Sequence, residues 1–329
     1  MITAAVVLGG VAVVLAWPVP LLLARSHWPA RSPAVALILW QAIALSGGMS
    51  MIGALLLFGL TPFGGSLPGS FVALGGNLRD GTLPTGTSFI HVLALGAAIL
   101  LGGHLLLNLL ATVVRTERQR RHHHSLIALL SDPLHGQPGM RVIDHPAPVA
   151  YCLPGAGHSA TVLSNGLMRL LDAEQLRAVV AHERAHLAQQ HHLVLVVFKS
   201  WHSALPWFPI ANRAENAVAL LVEMLADDHA RRVVDDHTLA RAIALVGFAL
   251  AGSPTPPTSE ADAPALAAAS ASDPDRSRGA APEHPTHQVT PRVARLVNPI
   301  MPLHYAATTG ALTVSAALLT GPAIILFGA

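Results

Sequence analysis

The sequence predicts a mainly α-helical, polytopic membrane protein with four transmembrane helices and one mostly helical polar domain that carries a small β element. Three observations predict it. Of 329 residues, 52% are hydrophobic and only 12% are charged, against about 25% charged in ordinary soluble domains. Apolar stretches long enough to cross a bilayer, roughly 20 residues each, fill the first third of the chain and close it. Only residues from about 115 to 300 are polar enough to build an aqueous-side domain.

The first stretch, Ile2 to Ala24, has no charge. It lacks a basic n-region, and its apolar run exceeds the roughly 7–15 residues of a signal peptide, so it reads as a retained helix. Pro33 to Leu60 is also uncharged, and Ser88 to Val114 is interrupted only by His91, His104 and Asn108. Tyr305 to Phe327 is the fourth. Loop charges orient the bundle: Arg25 and Arg31 follow the first helix, and Arg115, Arg118, Arg120 and Arg121 follow the third, whereas the intervening loop has only Arg79 beside Asp80. Alternating spans put both basic segments on one face, which the positive-inside rule makes cytoplasmic. Both termini are then outside, in a cell (inner) membrane. His122, His123 and His124 read as a cationic anchor at headgroup level.

Composition also excludes function classes. The net charge of +2 gives no nucleic-acid-binding surface. Cys152 is the only cysteine, so there is no intrachain disulfide and no Cys-rich zinc ribbon. The spanning helices contain no carboxylate, which argues against a membrane metal transporter.

The expected domains are a transmembrane region at 1–114, a polar domain at 115–250, a linker at 251–290, and a juxtamembrane segment with the fourth helix at 291–329. Within the polar domain, Arg141 to Leu163 has short apolar runs broken by Pro146, Pro148, Pro154 and Gly155, a pattern of short strands or a hairpin. Asp172 with Gln175 three residues on forms a capping box, and Leu176, Val179, Val180 and Leu187 recur at helical spacing. Leu193 to Val197 and Trp201 to Pro209 are apolar but interrupted by Lys199 and His202. One crossing there would put Glu223 across the membrane from His186, so a membrane-surface or re-entrant element is expected. From Ala251 onward the composition turns to Pro, Ala and Ser, read as a disordered linker.

The chemistry lies in His182-Glu183-Arg184-Ala185-His186. On a helix, residues four apart share a face, so His182 and His186 can point two imidazoles at one ion. Glu183 beside them can act as a general base on a metal-activated water. A catalytic zinc needs three protein ligands and an open position. Downstream, Glu223 offers a third ligand, and Asp227 one turn later can accept a hydrogen bond from a ligand histidine and fix its tautomer. Arg292, or His284 or His287 before it, is a candidate stabiliser of an oxyanion. His191 and His192, just past the motif, read as surface residues at a helix end.

The run LSNGLMRLLDAEQLRAVVAHERAHLAQQHH, followed by LLVEMLADDHA, resembles the peptidase domain of BlaR/MecR-type antirepressor metallopeptidases. It is similar, more distantly, to the HtpX/CAAX-processing class. The resemblance implies a gluzincin-like zinc endopeptidase with one Zn2+ per chain. His182, His186 and Glu223 would be its ligands, Glu183 its base and Asp227 the residue behind a ligand. It implies a protein substrate on the cytoplasmic side, a transcriptional repressor in signal-regulated proteolysis, and self-cleavage in the 251–290 linker. One departure is expected: a penicillin-binding sensor needs Ser-x-x-Lys, yet at the only lysine, Lys199, Val196 stands where the serine would be. Covalent beta-lactam binding is therefore not expected. The lipid bilayer is a partner, nucleic acid is not, and a homo-oligomer is compatible with the chain. Two alternatives share the motifs: a constitutive HtpX-like quality-control protease, and a non-proteolytic membrane signalling scaffold.

Overall fold

A computed structural model describes residues 1–134, 139–153, 160–204, 209–251, 286–298 and 301–328. The described chain is mostly helical with one small sheet, and four of its helices are long and apolar enough to cross a membrane: Ile2–Arg25, Pro33–Phe63, Phe89–Gln119 and Tyr305–Phe327. The expected fold class is borne out. The chain divides into two compact units.

The first unit comprises Met1–Thr112, Val197–Leu221 and Pro302–Ala329. Its first span is two helices, α1 (Ile2–Ala16) and α2 (Pro18–Arg25). The break at Trp17, φ −125°, follows from Pro18, which disfavours helical backbone in the preceding residue. Helix α3 (Pro33–Leu60) is the hub of this unit. Gly53 on α3 backs onto Leu8 of α1 and onto Leu326 of the last helix. A Cβ at Gly59 would lie 2.8 Å from the Leu95 nitrogen, so the small residue lets two helix backbones approach closely. The loop after α3 forms α4 (Leu67–Asp80), capped by the Ser66 side chain and ended by Gly81 at φ +64°, the left-handed C-cap that glycine favours. Helix α5 (Phe89–Leu130) runs for 42 residues, well beyond the expected span, because no Pro or Gly interrupts its basic second half.

Helix α8 (His191–Ala204) has 14 residues, about 21 Å at 1.5 Å per residue, too short for a ~30 Å hydrocarbon core. Its second half packs among the spans. Asn108 of α5 donates to the Ser200 carbonyl at 2.5 Å, His104 Nε2 lies 3.2 Å from the Ala204 carbonyl, and the Trp201 ring rests on Gly48. The stretch expected to be a membrane-surface or re-entrant element thus groups with the spans.

The second unit comprises Val113–Val196 and Val222–Met301. Four strands, β1 (Ser131–Pro133), β2 (Met140–Ile143), β3 (Ala150–Leu153) and β4 (Ala160–Ser164), form a sheet of order β1-β2-β4-β3. The β2–β4 pair is parallel and the other two are antiparallel, so the expected hairpin is part of a mixed sheet with β3 at its edge. Leu163 turns one face toward Leu167, Leu171 and the apolar side of α7 (Ala173–Ala188), namely Leu176, Val179 and Val180. Short α6 (Asn165–Leu170) turns the chain, and Gly166 is required there because any Cβ would collide with the Pro146 carbonyl. Both halves of the Asp172–Gln175 capping box are present at the start of α7.

Helices α9 (Pro209–Ala230), α10 (Asp236–Ala251) and α11 (Thr286–Val297) complete the described domain before α12 (Tyr305–Phe327). Ala178, Ala181, Leu239, Ala240, Ile243 and Leu296 bind α7, α10 and α11 into one core. Most of the expected 251–290 linker lies outside the described residues. Its two ends differ from the expectation: Ala251 closes α10, and α11 begins at Thr286.

Candidate metal centre

Helix α7 presents His182 and His186 on one face, and α9 presents Glu223 and, one turn on, Asp227. His182 Nε2 lies 3.2 Å from His186 Nε2 and 3.3 Å from Glu223 Oε2, and His186 Nε2 lies 3.5 Å from Glu223 Oε1. Ligand atoms bound tetrahedrally at 2.0–2.1 Å would be roughly 3.3 Å apart. The two imidazole nitrogens therefore stand at the separation that a tetrahedral zinc requires, each with one Glu223 oxygen at a similar distance, and the three residues form a candidate metal-binding group among the described residues. Two neutral imidazoles and a carboxylate also match the donor set of catalytic zinc.

The second nitrogen of His182, Nδ1, lies 2.9 Å from Asp227 Oδ1. Asp227 is buried, 1% exposed, and its charge is matched by Arg292 of α11. The guanidinium donates from Nε to Oδ2 at 2.8 Å and from Nη2 to Oδ1 at 2.7 Å, while Nη1 lies 2.7 Å from Glu223 Oε2. One planar cation thus holds both carboxylates in fixed orientation, a bidentate geometry that lysine cannot reproduce. The next acid, Asp228, takes a second fork from Arg295 at 2.8 Å for each contact.

This crowding sets the protonation equilibria. Burial disfavours the imidazolium of His182, yet hydrogen bonds to Asp227 and Glu223 outweigh it and raise its pKa to about 10. Burial likewise opposes charge on Glu223 and Asp227, but the Arg292 guanidinium and the histidine hold both carboxyls below the usual range. Burial works against Arg292 as well, and its two carboxylate partners raise its pKa further. Binding of a metal ion here would displace a proton from His182.

A cavity of about 300 Å3 opens beside these residues. His182, Glu183, Glu223 and Arg292 line one end, and its wall is apolar, with Val179, Ile243 and Val246 among its residues. Glu183 is half-buried on this wall. Val149 and, from strand β3, Ala150 and Tyr151 also line it.

All six residues singled out in the sequence stand in this one unit: His182, Glu183, His186, Glu223, Asp227 and Arg292. Helix α11 carries Arg292, from the segment expected at 291–329, into the centre. His284 and the side chain of His287 lie outside the described residues. One residue lies away from its expected place. His191 is not on the surface; it is 3% exposed, with Nδ1 3.0 Å from His186 Nδ1 and Nε2 2.8 Å from Gln189 Oε1.

The model of Peptidase family M48 matches residues 115–296, a range that holds both ligand-bearing helices and Arg292. A protease HtpX homolog from Aquifex aeolicus (strain VF5) is 34% identical over 64 residues. That stretch covers 20% of this chain and 20% of that protein, so the match spans about a fifth of the curated relative. No solved structure matches.

Proposed function

The chain belongs to peptidase family M48, and from that premise we propose that it is a membrane-anchored, zinc-dependent endopeptidase cleaving protein substrates on the cytoplasmic side. The observation that carries the proposal is the spacing of His182 Nε2 and His186 Nε2, 3.2 Å apart, with one oxygen of the Glu223 carboxylate 3.3 Å from the first and the other 3.5 Å from the second. Bound zinc would supply Lewis-acid chemistry, acidifying a water and polarising the scissile carbonyl. Glu183 takes the water's proton and returns it to the leaving amine. Asp227 holds His182 with Nε2 toward the centre. Arg292 acts first on the two carboxylates, and its role as oxyanion stabiliser rests on its place in the cavity wall.

Substrate geometry follows from the sheet. Ser164 donates its backbone N–H to Val149, so by antiparallel alternation the backbone groups of Ala150 and Cys152 point away from β4. An extended peptide can pair along that edge and place an apolar side chain against Ile243 and Val246. An unfolded interior segment meets this requirement, which supports endopeptidase action.

Two substrate readings share the site. The BlaR/MecR-like sequence and its span arrangement support signal-regulated cleavage of a cytoplasmic repressor. The identity to the Aquifex HtpX homolog supports constitutive quality control of membrane proteins. Loop arginines support the cytoplasmic orientation under either reading.

Glu183→Ala tests the enzyme. The variant should hold zinc as the parent does while cleavage of an unfolded casein substrate falls about 10²- to 10⁴-fold. Unchanged cleavage would sink the proposal. Terminal-peptide profiling of cells with and without the protein then separates the substrate readings: one cleaved regulator favours the repressor, and many damaged membrane proteins favour quality control.

A further inference from the structure

We infer that His191 is the positioning residue for His186, fixing the tautomer and rotation that turn His186 Nε2 into the metal centre. The inference rests on the zinc reading above and adds a part that neither the motif nor the ligand set contains.

The two α7 imidazoles are backed differently. His182 meets a carboxylate at Nδ1, whereas His186 meets the Nδ1 of another imidazole at 3.0 Å. Of two facing ring nitrogens, one must donate and the other accept. For His186 to offer the Nε2 lone pair to a metal, its proton sits on Nδ1, so His191 accepts there. His191 then carries its own proton on Nε2, which lies 2.8 Å from Gln189 Oε1, an acceptor. Every proton in the chain from His186 through His191 to Gln189 has one place, and both nitrogens of a buried imidazole are satisfied.

The backbone between the helices serves this contact. In a continuous helix, residues five apart point about 140° away from each other. Here α7 ends at Ala188 with Gln189 as its C-cap, and Gln190 takes φ +51°, the one positive value at a non-glycine residue among those described. That left-handed residue lets α8 restart at His191 beside the last turn of α7. A glutamine in this conformation is strained and persists where surrounding contacts over-determine it. The edge-to-face His186 and His191 rings, 5.0 Å between centroids and crossed at 85°, are such a contact.

The test uses the purified full-length chain in detergent. Zinc affinity is read by competition with a chromophoric chelator, and the visible spectrum is recorded on the cobalt-substituted protein. In His191→Asn the amide oxygen keeps an acceptor near the Nδ1 position, while His191→Leu keeps bulk and removes it. His191→Leu should lose 10- to 100-fold in zinc affinity and shift the cobalt bands, and His191→Asn should stay within about threefold of the parent. Gln189→Ala, an exposed change that threatens no fold, should weaken zinc in the same direction by about two- to fivefold and decides the matter if His191→Leu does not fold. Parental affinity and spectrum in His191→Leu overturn the inference. Equal losses in His191→Leu and His191→Asn also overturn it, since they mark a packing role. A parent that takes up no stoichiometric zinc overturns the metal-centre reading itself.

Discussion

In the unit that holds the spans, the buried polar side chains among the described residues are Ser46, Ser50, Ser70, Thr112, Ser200 and Ser315, all neutral. The unit that holds the metal centre buries His182, His191, Asp227 and Arg295 alongside its neutral groups. Thr112 and Ser315 return their hydroxyls to carbonyls four residues earlier in their own helices, which a helix in lipid can do without any partner. The ions of the second unit instead satisfy one another across helices: Arg292 of α11 grips two acids of α9, and Asp227 grips His182 of α7. The difference teaches where folding stability is put at risk for chemistry. A neutral hydroxyl in a span is nearly self-sufficient, whereas a buried charge depends on a partner brought from far along the chain.

The largest effect is expected where that dependence is strongest. Asp227→Ala strands a buried guanidinium and frees the His182 ring, so it should cost about 3–5 kcal/mol of unfolding free energy and weaken zinc about 10- to 100-fold. Denaturant titration of the metal-free chain and chelator competition would check the two parts. A loss under 1 kcal/mol would break the comparison.

Acidity sharpens it next. His182, with its pKa raised to about 10, is protonated at neutral pH in the metal-free chain. Its stabilising contribution there is complete below the unfolded value of 6.5 and fades as pH rises through about 10. Zinc must displace that proton, so apparent zinc affinity should rise about tenfold per pH unit between 6.5 and 9, with proton release seen by calorimetry in buffers of different ionisation enthalpy. Affinity flat across that window would contradict the proton on His182.

Smaller effects belong to the spans. Asn108→Ala removes the donor to Ser200 and should cost about 0.6–1.7 kcal/mol, the range of hydrogen bonds between membrane helices, measured in mixed micelles. Ser50→Ala should stay within about 0.5 kcal/mol or stabilise, because the Ser50 hydroxyl is buried with no hydrogen-bond partner among the described residues. If Ser50→Ala proved as damaging as Asp227→Ala, the contrast between the units would fail.

How much of this was legible in the sequence follows from distance along the chain. The four spans, the capped start of α7, the pair His182 and His186, and the four-residue step from Glu223 to Asp227 are local patterns, set by helix geometry alone. The break at Trp17 was also local, announced by Pro18, although a single helix was expected there. Two site features depended on tertiary structure. Arg292 reaches Asp227 across 65 positions, and nothing near it in sequence marks it as a partner for buried acids. His191 was hidden because periodicity extended past α7 turns it away from His186, and only the left-handed Gln190 brings it back. That Val197–Leu221 groups with the spans was half-visible: its apolarity pointed to the membrane, while Lys199, His202 and the need to keep Glu223 on the side of His186 pointed to something short of a crossing.

The central claim is that His182, His186 and Glu223 hold one zinc ion for use by Glu183. Metal content of the purified parent, Glu183→Ala and Glu223→Ala tests it most directly. One zinc per chain in the first two, and zinc lost from the third on dialysis against a weak chelator, is the expected result. A parent without zinc, or a Glu223→Ala variant that keeps it as tightly as the parent, would contradict the account.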